Sequence, residues 1–255
     1  MNTTASEPAA RQQTTTEPAA RQQTTTEPAA RQQTTSEPAA RQQTTSEPAA
    51  RQQTTSEPTA RQPTATDPLR LTLVVGSNRH GRFGPVVADW LLGRIRDRDD
   101  LVAEVVDVAE AALPMSLEPT PEATAALSGI TPKLARADAF VVLTPEYNHS
   151  FPAGLKNLVD WHFTEWQAKP VGLVSYGGLS GGLRAAEHLR QVFAELHAVT
   201  VRDTVSFHNA GASFDDRGAL RDPSGPDAAA KTMLDQLVWW GRALREARGR
   251  RPYGG

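Results

Sequence analysis

The chain has 255 residues, with 27 Lys and Arg against 29 Asp and Glu, and it contains no cysteine. The lack of cysteine excludes disulfides, thiolate metal sites and cysteine nucleophiles, and it fits a reducing cytoplasm. A formal charge of −2 gives no electrostatic reason to expect a nucleic-acid partner, and no apolar run approaches the roughly 20 residues of a membrane helix. We therefore expect a cytoplasmic protein with neither a nucleic-acid nor a membrane partner.

Residues 1–66 repeat a ten-residue unit, in which Glu-Pro pairs begin at Glu7 and recur every ten residues to Glu57. The unit contains no Leu, Ile, Val or aromatic residue, so it cannot bury enough apolar surface to offset an ordering entropy of about 1–2 kcal/mol per residue. Solenoid repeats are longer, roughly 20–50 residues, and each supplies an apolar face. We therefore predict a disordered tail over residues 1–66, either a tolerated spacer or a partner-binding segment, and one folded domain over residues 67–250.

Strands and helices alternate along that domain. The segment 140–143 is apolar without alternation, which is typical of a strand covered on both faces, whereas 101–108 alternates and suits an edge strand. The predicted strands are 69–75, 101–108, 140–143, 169–175 and 199–206, and the predicted helices are 85–96, 122–135, 153–166, 183–198 and 226–248. Five such alternations predict an α/β fold with a doubly wound parallel sheet of strand order 2-1-3-4-5.

The loop from Gly76 to Gly84 combines glycine, serine and arginine and runs directly into a helix. Backbone N–H groups at a helix N-terminus, a Ser hydroxyl and Arg guanidinium groups are donors that hold an anion. The loop lacks both the Gly-x-Gly-x-x-Gly pattern of dinucleotide sites and the Gly-Lys-Ser/Thr of a P-loop, which disfavours a nucleoside triphosphate. Taken alone, a loop of this kind is more often a surface turn with solvated arginines than a phosphate site.

Two further loops follow strands three and four. Pro145 forbids ladder pairing where the apolar run ends, so a rigid loop starts at the carboxyl end of strand three. The loop from Tyr176 to Gly182 contains four glycines, which let a backbone approach a flat ligand, although a flexible loop is the alternative. In a 2-1-3-4-5 sheet the loops after strands one, three and four adjoin, so we predict one ligand-binding crevice.

In these loops the chain resembles the NADPH-dependent FMN reductases of the flavodoxin-like superfamily, which include quinone, azo-dye and chromate reductases. The resemblance covers about residues 69–198. Its motifs are Gly76-Ser77-x-Arg79, then Thr144-Pro145-Glu146-Tyr147-Asn148-His149-Ser150 with Leu155-Lys156-Asn157, then Tyr176-Gly177-Gly178. It implies an enzyme that takes hydride from NADPH or NADH onto bound FMN and passes it to a small acceptor such as a quinone, in a ping-pong cycle.

The resemblance also implies which residues hold FMN. Around its phosphate, the expected residues are Ser77, Arg79, Arg82, Phe83 and Gly84. Against its isoalloxazine ring, they are Pro145, Glu146, Tyr147 and Asn148 on one side, and Tyr176, Gly177 and Gly178 on the other. Many relatives carry Ser where this chain has Arg82 and Asn where it has Gly84. Hydride transfer is flavin chemistry, so we predict no catalytic side chain, and the histidines show no metal-ligand grouping.

Two other functions stay open. A flavodoxin-like electron carrier is usually strongly acidic, whereas this domain is close to neutral, which favours the enzyme. The second alternative function is that of a flavin-free scaffold with a partner-binding tail. The predicted helix 153–166 carries more large apolar groups than one buried stripe requires, so we expect a homodimer or homotetramer paired through it. Core or subunit contacts are expected of Trp161, Trp166, Trp239 and Trp240.

Overall fold

In the computed structural model, residues 67–254 are described. The tail predicted to be disordered, residues 1–66, lies outside them. A five-stranded parallel sheet forms the centre, in the order β2-β1-β3-β4-β5. Its strands are β1 (Leu69–Val75), β2 (Leu101–Asp107), β3 (Ala139–Pro145), β4 (Pro170–Tyr176) and β5 (Val199–Phe207). The predicted strand order is confirmed.

Burial along the strands explains why their sequences differ. Every residue of β3 and β4 is buried, as expected for central strands of a parallel sheet with helices on both faces. In the edge strand β2, only Leu101 and Val106 are buried. The apolar run in β3 and the alternation in β2 therefore report the positions of these strands in the sheet.

Helices cover both faces of the sheet. They are α1 (Gly84–Arg96), α2 (Val108–Ala111), α3 (Pro121–Ser128), α4 (Thr131–Arg136), α5 (Ala153–Asp160), α6 (Leu183–Glu195), α7 (Ala210–Ser213) and α8 (Ser224–Arg250). Apolar residues of α1 and α8 join one core cluster, and those of α4, α5 and α6 join the other. The doubly wound architecture is thus confirmed.

The helices differ from the prediction in three places. The segment 122–135 forms two helices, α3 and α4, because the chain breaks at Gly129 and restarts with Pro132 in the first turn of α4. Short helices α2 and α7 lie where we predicted loops. The helix predicted to reach residue 166 ends at Asp160.

Trp166 accounts for this early end of α5. It is fully buried, with its ring centroid 4.6 Å from that of Phe140 and 5.4 Å from that of Phe193. Its indole N–H donates to the carbonyl of His162 at 3.0 Å. Burial of a large indole outweighs the helical propensity of the six residues before it. Trp166 is therefore a core residue, and the apolar surplus predicted on a single helix is smaller than expected.

A buried lysine ties the start of β4 to α4. The Lys169 ammonium donates to the carbonyls of Leu134 at 2.9 Å and Ala135 at 2.8 Å, in the last turn of α4. Burial, with a smaller contribution from Arg248, lowers the pKa of Lys169 to about 8. The folded protein therefore holds a protonated Lys169 less favourably than the unfolded chain does.

We expect this lysine to make stability rise with pH between 8 and about 10.4, the ordinary lysine pKa. In that window the unfolded chain binds more protons at this site than the folded chain, so deprotonation favours folding. Relative to a Lys169→Met variant, the free energy of unfolding should increase by up to about 3 kcal/mol across the window. Urea unfolding of both proteins from about pH 7.5 to 10.5 measures this. A difference that is constant with pH would contradict the lowered pKa.

Candidate functional site

The β1 loop, residues 76–83, bends tightly over the carboxyl ends of β1 and β3. The Gly76 N–H donates to the Leu143 carbonyl at 2.8 Å, and a Cβ at position 76 would lie only 2.9 Å from that oxygen. Glycine is therefore required here. Ser77 is buried, and its hydroxyl makes a hydrogen bond of 2.7 Å with the Tyr147 hydroxyl. This bond joins the first predicted loop to the second.

Arg82 is partly buried and bound to other residues, whereas Arg79 is exposed to solvent. The Arg82 guanidinium donates to the Ser77 carbonyl at 2.9 Å and forms an ion pair with Asp107 at the end of β2. Hydrogen bonding to Asp107 raises the pKa of Arg82 above its ordinary value, against the opposing effect of burial. The Asp107 carboxylate also caps α2 through the Ala109 N–H. Sequence analysis missed Asp107, although its position at the carboxyl end of a strand beside β1 was a usable signal.

The first turn of α1 is open to an anion. The helix starts at Gly84 without a side-chain cap and without an acidic residue in its first turn. Pro85 has no N–H and the Val86 N–H donates to the Phe83 carbonyl at 3.1 Å, which leaves the Gly84 N–H as a donor at the positive end of the helix dipole. A Cβ at Gly84 would lie 3.1 Å from the Tyr176 hydroxyl, so the small residue allows α1 to begin close to β4.

Tyr176 places an unpaired hydroxyl at the same point. The residue is buried, and its hydroxyl has no hydrogen-bond partner among residues 67–254. Burial raises the pKa of Tyr176 to about 12, so the phenol stays protonated. Leaving such a group unpaired costs about 1–3 kcal/mol. A ligand oxygen bound here would remove that cost.

The β3 loop, residues 146–152, is built on a two-residue hairpin. Tyr147 and Ser150 exchange backbone hydrogen bonds of 2.8 and 3.1 Å, and the two residues between them have positive φ, 48° at Asn148 and 76° at His149. This is the geometry of a type I′ turn, which asparagine tolerates and histidine adopts only under strain. The turn gives the loop a rigid edge.

Glu146 links the β3 loop to the β4 loop, residues 177–182. Its nearly buried carboxylate accepts hydrogen bonds from the Ser180 hydroxyl at 2.7 Å and the Arg184 guanidinium at 2.9 Å. Burial alone would raise the pKa of Glu146, but the bonds from Ser180 and Arg184 outweigh it and hold the pKa below its ordinary value. Glu146 is therefore an ionised clamp between loops and not a solvated carboxylate. Its contact with a cofactor stays a prediction.

The β4 loop is fixed by hydrogen bonds despite its glycines. The Gly181 carbonyl accepts from the hydroxyls of Ser175 and Ser206, each at 2.9 Å, and the Gly177 N–H donates to the Phe207 carbonyl at 3.1 Å. Gly181 has a φ of 61°, and a Cβ there would lie 2.4 Å from the Ser206 hydroxyl. By contrast, a Cβ at Gly178 would meet nothing within 4 Å. The β4 loop therefore has a backbone fixed by hydrogen bonds, with open space beside Gly178.

Hydrogen bonds thus bring the predicted loops together at one edge of the sheet. Within this site, Pro145 is the buried end of β3, Asn148 lies exposed at the turn, and Phe83 packs against Tyr176 with ring centroids 6.1 Å apart. A cavity of about 250 Å³ adjoins the β1 loop and reaches the segment 108–115. Asn157 holds that segment by donating to the Pro114 carbonyl at 3.0 Å. The role of segment 108–115 beside the site was not predicted.

Between residues 67 and 254, no three His, Asp or Glu side chains are grouped as a metal ion would need. No helix in the same range has the length and apolar character to cross a membrane.

A 2-1-3-4-5 parallel sheet whose β1, β3 and β4 loops meet at the carboxyl ends of its strands defines a flavodoxin-like α/β protein. Within this class, the family described as NADPH-dependent FMN reductase matches residues 69–212. The chain belongs to the NADPH-dependent FMN reductase family. The resemblance found in its motifs is confirmed, and FMN and NAD(P)H are the cofactors that this family uses.

Individual relatives agree with this assignment. The chain is 37% identical over 123 residues to an NAD(P)H-dependent FMN reductase of Schizosaccharomyces pombe, covering 44% of this chain and 60% of the relative. It is 32% identical over 139 residues to a quinone reductase of Escherichia coli K12, covering 52% and 73%. The flavoenzyme NAD(P)H:(acceptor) oxidoreductase of Paracoccus denitrificans shares the fold, with a TM-score of 0.54 and 20% identity over 69% of this chain and 98% of that one.

Proposed function

We propose that the protein is an FMN-dependent oxidoreductase that passes hydride from NADPH or NADH through FMN to a small acceptor such as a quinone. The observation that carries this proposal is the joining of the three loops through the Ser77–Tyr147 and Glu146–Ser180 hydrogen bonds. The names of the Schizosaccharomyces pombe and Escherichia coli relatives support the reductase activity and the quinone acceptor. Residues 67–250 form the proposed FMN-binding domain.

The proposed phosphate site consists of unsatisfied donors at the start of α1. These are the Gly84 N–H, the Tyr176 hydroxyl and the Arg79 guanidinium, which makes no hydrogen bond or ion pair with another described residue. Such donors suit a phosphate dianion. The residues assigned to this site are Ser77, Arg79, Arg82, Phe83 and Gly84. Within it, Arg82 orders the loop through Asp107, and Arg79 is the arginine still available to a ligand.

The proposed ring site lies between the β3 and β4 loops. On one side the residues are Pro145, Glu146, Tyr147 and Asn148, and on the other they are Tyr176, Gly177 and Gly178. The type I′ turn and the Glu146 clamp keep the two sides at a constant separation, while Gly178 leaves room for a flat ring. When bound, FMN accepts hydride from the nicotinamide and later passes it to the acceptor. The protein orients the cofactor and leaves one face open, so donor and acceptor bind in turn.

Anaerobic spectroscopy of the purified full-length protein tests this function. We expect a yellow protein whose flavin absorbance is bleached by NADPH or NADH and restored by a quinone, with azo dyes and chromate as further acceptors. Comparison of the two nucleotides gives the donor preference. A protein that binds flavin but is bleached by neither nucleotide would be an electron carrier, and one that takes up no FMN would be a scaffold.

A homodimer in the cytoplasm completes the proposal. Next to α5, the Trp161 indole donates to the Pro114 carbonyl at 3.1 Å and so supports a segment that exposes Met115 and Leu117, while Phe163 is 52% exposed. An apolar surface of this kind suits a subunit contact, and a dimer of dimers would extend it to a tetramer. The lack of cysteine supports a reducing compartment.

We expect the full chain to sediment with at least twice its mass of 27.5 kDa at micromolar concentration. A Trp161→Glu variant should sediment as a single chain with impaired reductase activity, because a charge replaces the indole that supports this surface. A wild-type monomer with full FMN content and turnover would contradict the dimer.

A further inference from the structure

The outer face of α8 carries a row of exposed side chains that the proposed function does not use. We call it the α8 stripe, and its members are Lys231, Asp235, Trp239, Arg242 and Glu246. Their spacing of four, four, three and four residues places them on one side of the helix. All five are exposed, while Met233, Leu237 and Gly241 on the opposite side are buried against the sheet.

Tryptophan at the centre of this stripe is unusual for a surface that only meets water. Trp239 is 64% exposed and Trp240 is 37% exposed, and their rings pack edge to face with centroids 4.9 Å apart. Trp239 borders a shallow cavity of about 510 Å³ between α8 and Arg98 and Asp100 of the α1–β2 turn. Indoles lose the most from such exposure and are enriched in protein contacts. This face therefore has the composition of an interface.

The charges along the stripe are complementary to those of an identical helix running in the opposite direction. Antiparallel pairing brings Lys231 of one copy to Glu246 of the other, and Asp235 to Arg242. In sequence, both pairs have the same midpoint, between residues 238 and 239. A single two-fold axis therefore relates the partners in both pairs, and this axis passes beside Trp239. A parallel arrangement would instead place each charge against its own kind.

Lys231, Arg242 and Glu246 are available for such pairing, whereas Asp235 also accepts a hydrogen bond from Arg98 at 2.6 Å and would keep it while facing Arg242 of the other copy. Arg242 makes no hydrogen bond or ion pair with any residue in the range 67–254. Lys231 pairs with Asp235 at 2.7 Å, and Glu246 pairs with Arg250 at 2.5 Å, but both pairs are exposed contacts within one helix, which contribute little. Exchanging them for contacts across an interface therefore costs little.

We propose that the α8 stripe is a two-fold interface between two copies of this chain, with the α8 helices antiparallel and the Trp239 rings at its centre. The stripe spans about 22 Å of helix, which is short for a standard interface, so association should depend on concentration. Because α8 and α5 lie on opposite faces of the sheet, this contact is independent of the proposed α5 dimer. Together the two contacts would build a dimer of dimers.

Charge reversal in the full-length protein tests the pairing by sedimentation velocity from about 1 to 200 µM. Lys231→Glu and Glu246→Lys should each weaken this association by about tenfold, because two attractions become two repulsions. The double variant should restore it, since the pairs are then reversed but complementary. Trp239→Glu should weaken it by about 100-fold. Glu187→Lys, the same charge change on α6 in the opposite layer, is the matched control and should have no effect.

Each variant is also measured in the Trp161→Glu background, so that loss of the α5 contact and loss of the α8 contact are distinguished. Circular dichroism checks the fold, which we expect to persist because Lys231 and Glu246 are exposed side chains. Association that no α8 variant changes would overturn the interface. Equal weakening in the single and double charge variants would overturn the antiparallel pairing.

Discussion

Replacing Trp166 with alanine is expected to lower the free energy of unfolding by about 3–5 kcal/mol. The indole is fully buried between Phe140 of β3 and Phe193 of α6, so its removal opens a cavity between the sheet and the helix layer. It also removes the donor that satisfies the His162 carbonyl. Because the stability of a folded domain is typically about 5–15 kcal/mol, this loss is a large fraction of the total.

Urea unfolding followed by circular dichroism measures the effect. The matched control is Phe163→Ala, three residues earlier, where a half-exposed ring is lost and less than about 1 kcal/mol should follow. Trp166→Phe keeps most of the packing and should cost less than Trp166→Ala. If Trp166→Ala and Phe163→Ala destabilise the protein equally, the early end of α5 does not serve to bury the indole.

The second large effect is expected on cofactor binding. Arg79→Ala should weaken FMN binding by about tenfold, which corresponds to about 1.5 kcal/mol, the lower end of the range for a charge-assisted hydrogen bond, because Arg79 is exposed. Riboflavin lacks the phosphate, so its affinity should barely change. Arg79 is the arginine expected to matter because it is unpaired, whereas Arg82 is already bound to Asp107.

Titration of the apoprotein with FMN and with riboflavin, followed by flavin fluorescence, separates the two ligands. The control variant is Arg96→Ala, which removes the same charge from the last turn of α1, away from the β1 loop. It should leave both affinities unchanged. Equal losses for FMN and riboflavin in Arg79→Ala would show that Arg79 supports the fold and does not bind the phosphate.

Much of the fold could be predicted from local patterns. The apolar run in β3 indicated a central strand, and the alternation in β2 indicated an edge strand. A strand buried on both faces is apolar at every position, whereas a strand buried on one face alternates between apolar and polar residues. Pro145 marked the end of β3 and the start of the site loop. The motifs around Ser77, Pro145 and Tyr176 then led to the family, since their order along the chain follows the order of the loops that meet at the sheet.

Tertiary structure decided the features that depend on pairs of residues far apart in the chain. Local sequence does not show that Asp107 holds Arg82, or that Ser180 and Arg184 bind the Glu146 carboxylate and link two loops through it. The helical periodicity of apolar residues likewise predicted a helix that reaches residue 166. Periodicity shows which positions are apolar but not which surface buries them. The packing of Trp166 against Phe140 ended that helix, and the packing of α8 left Trp239 outside, since burial is settled by the neighbours that folding brings and not by hydrophobicity alone.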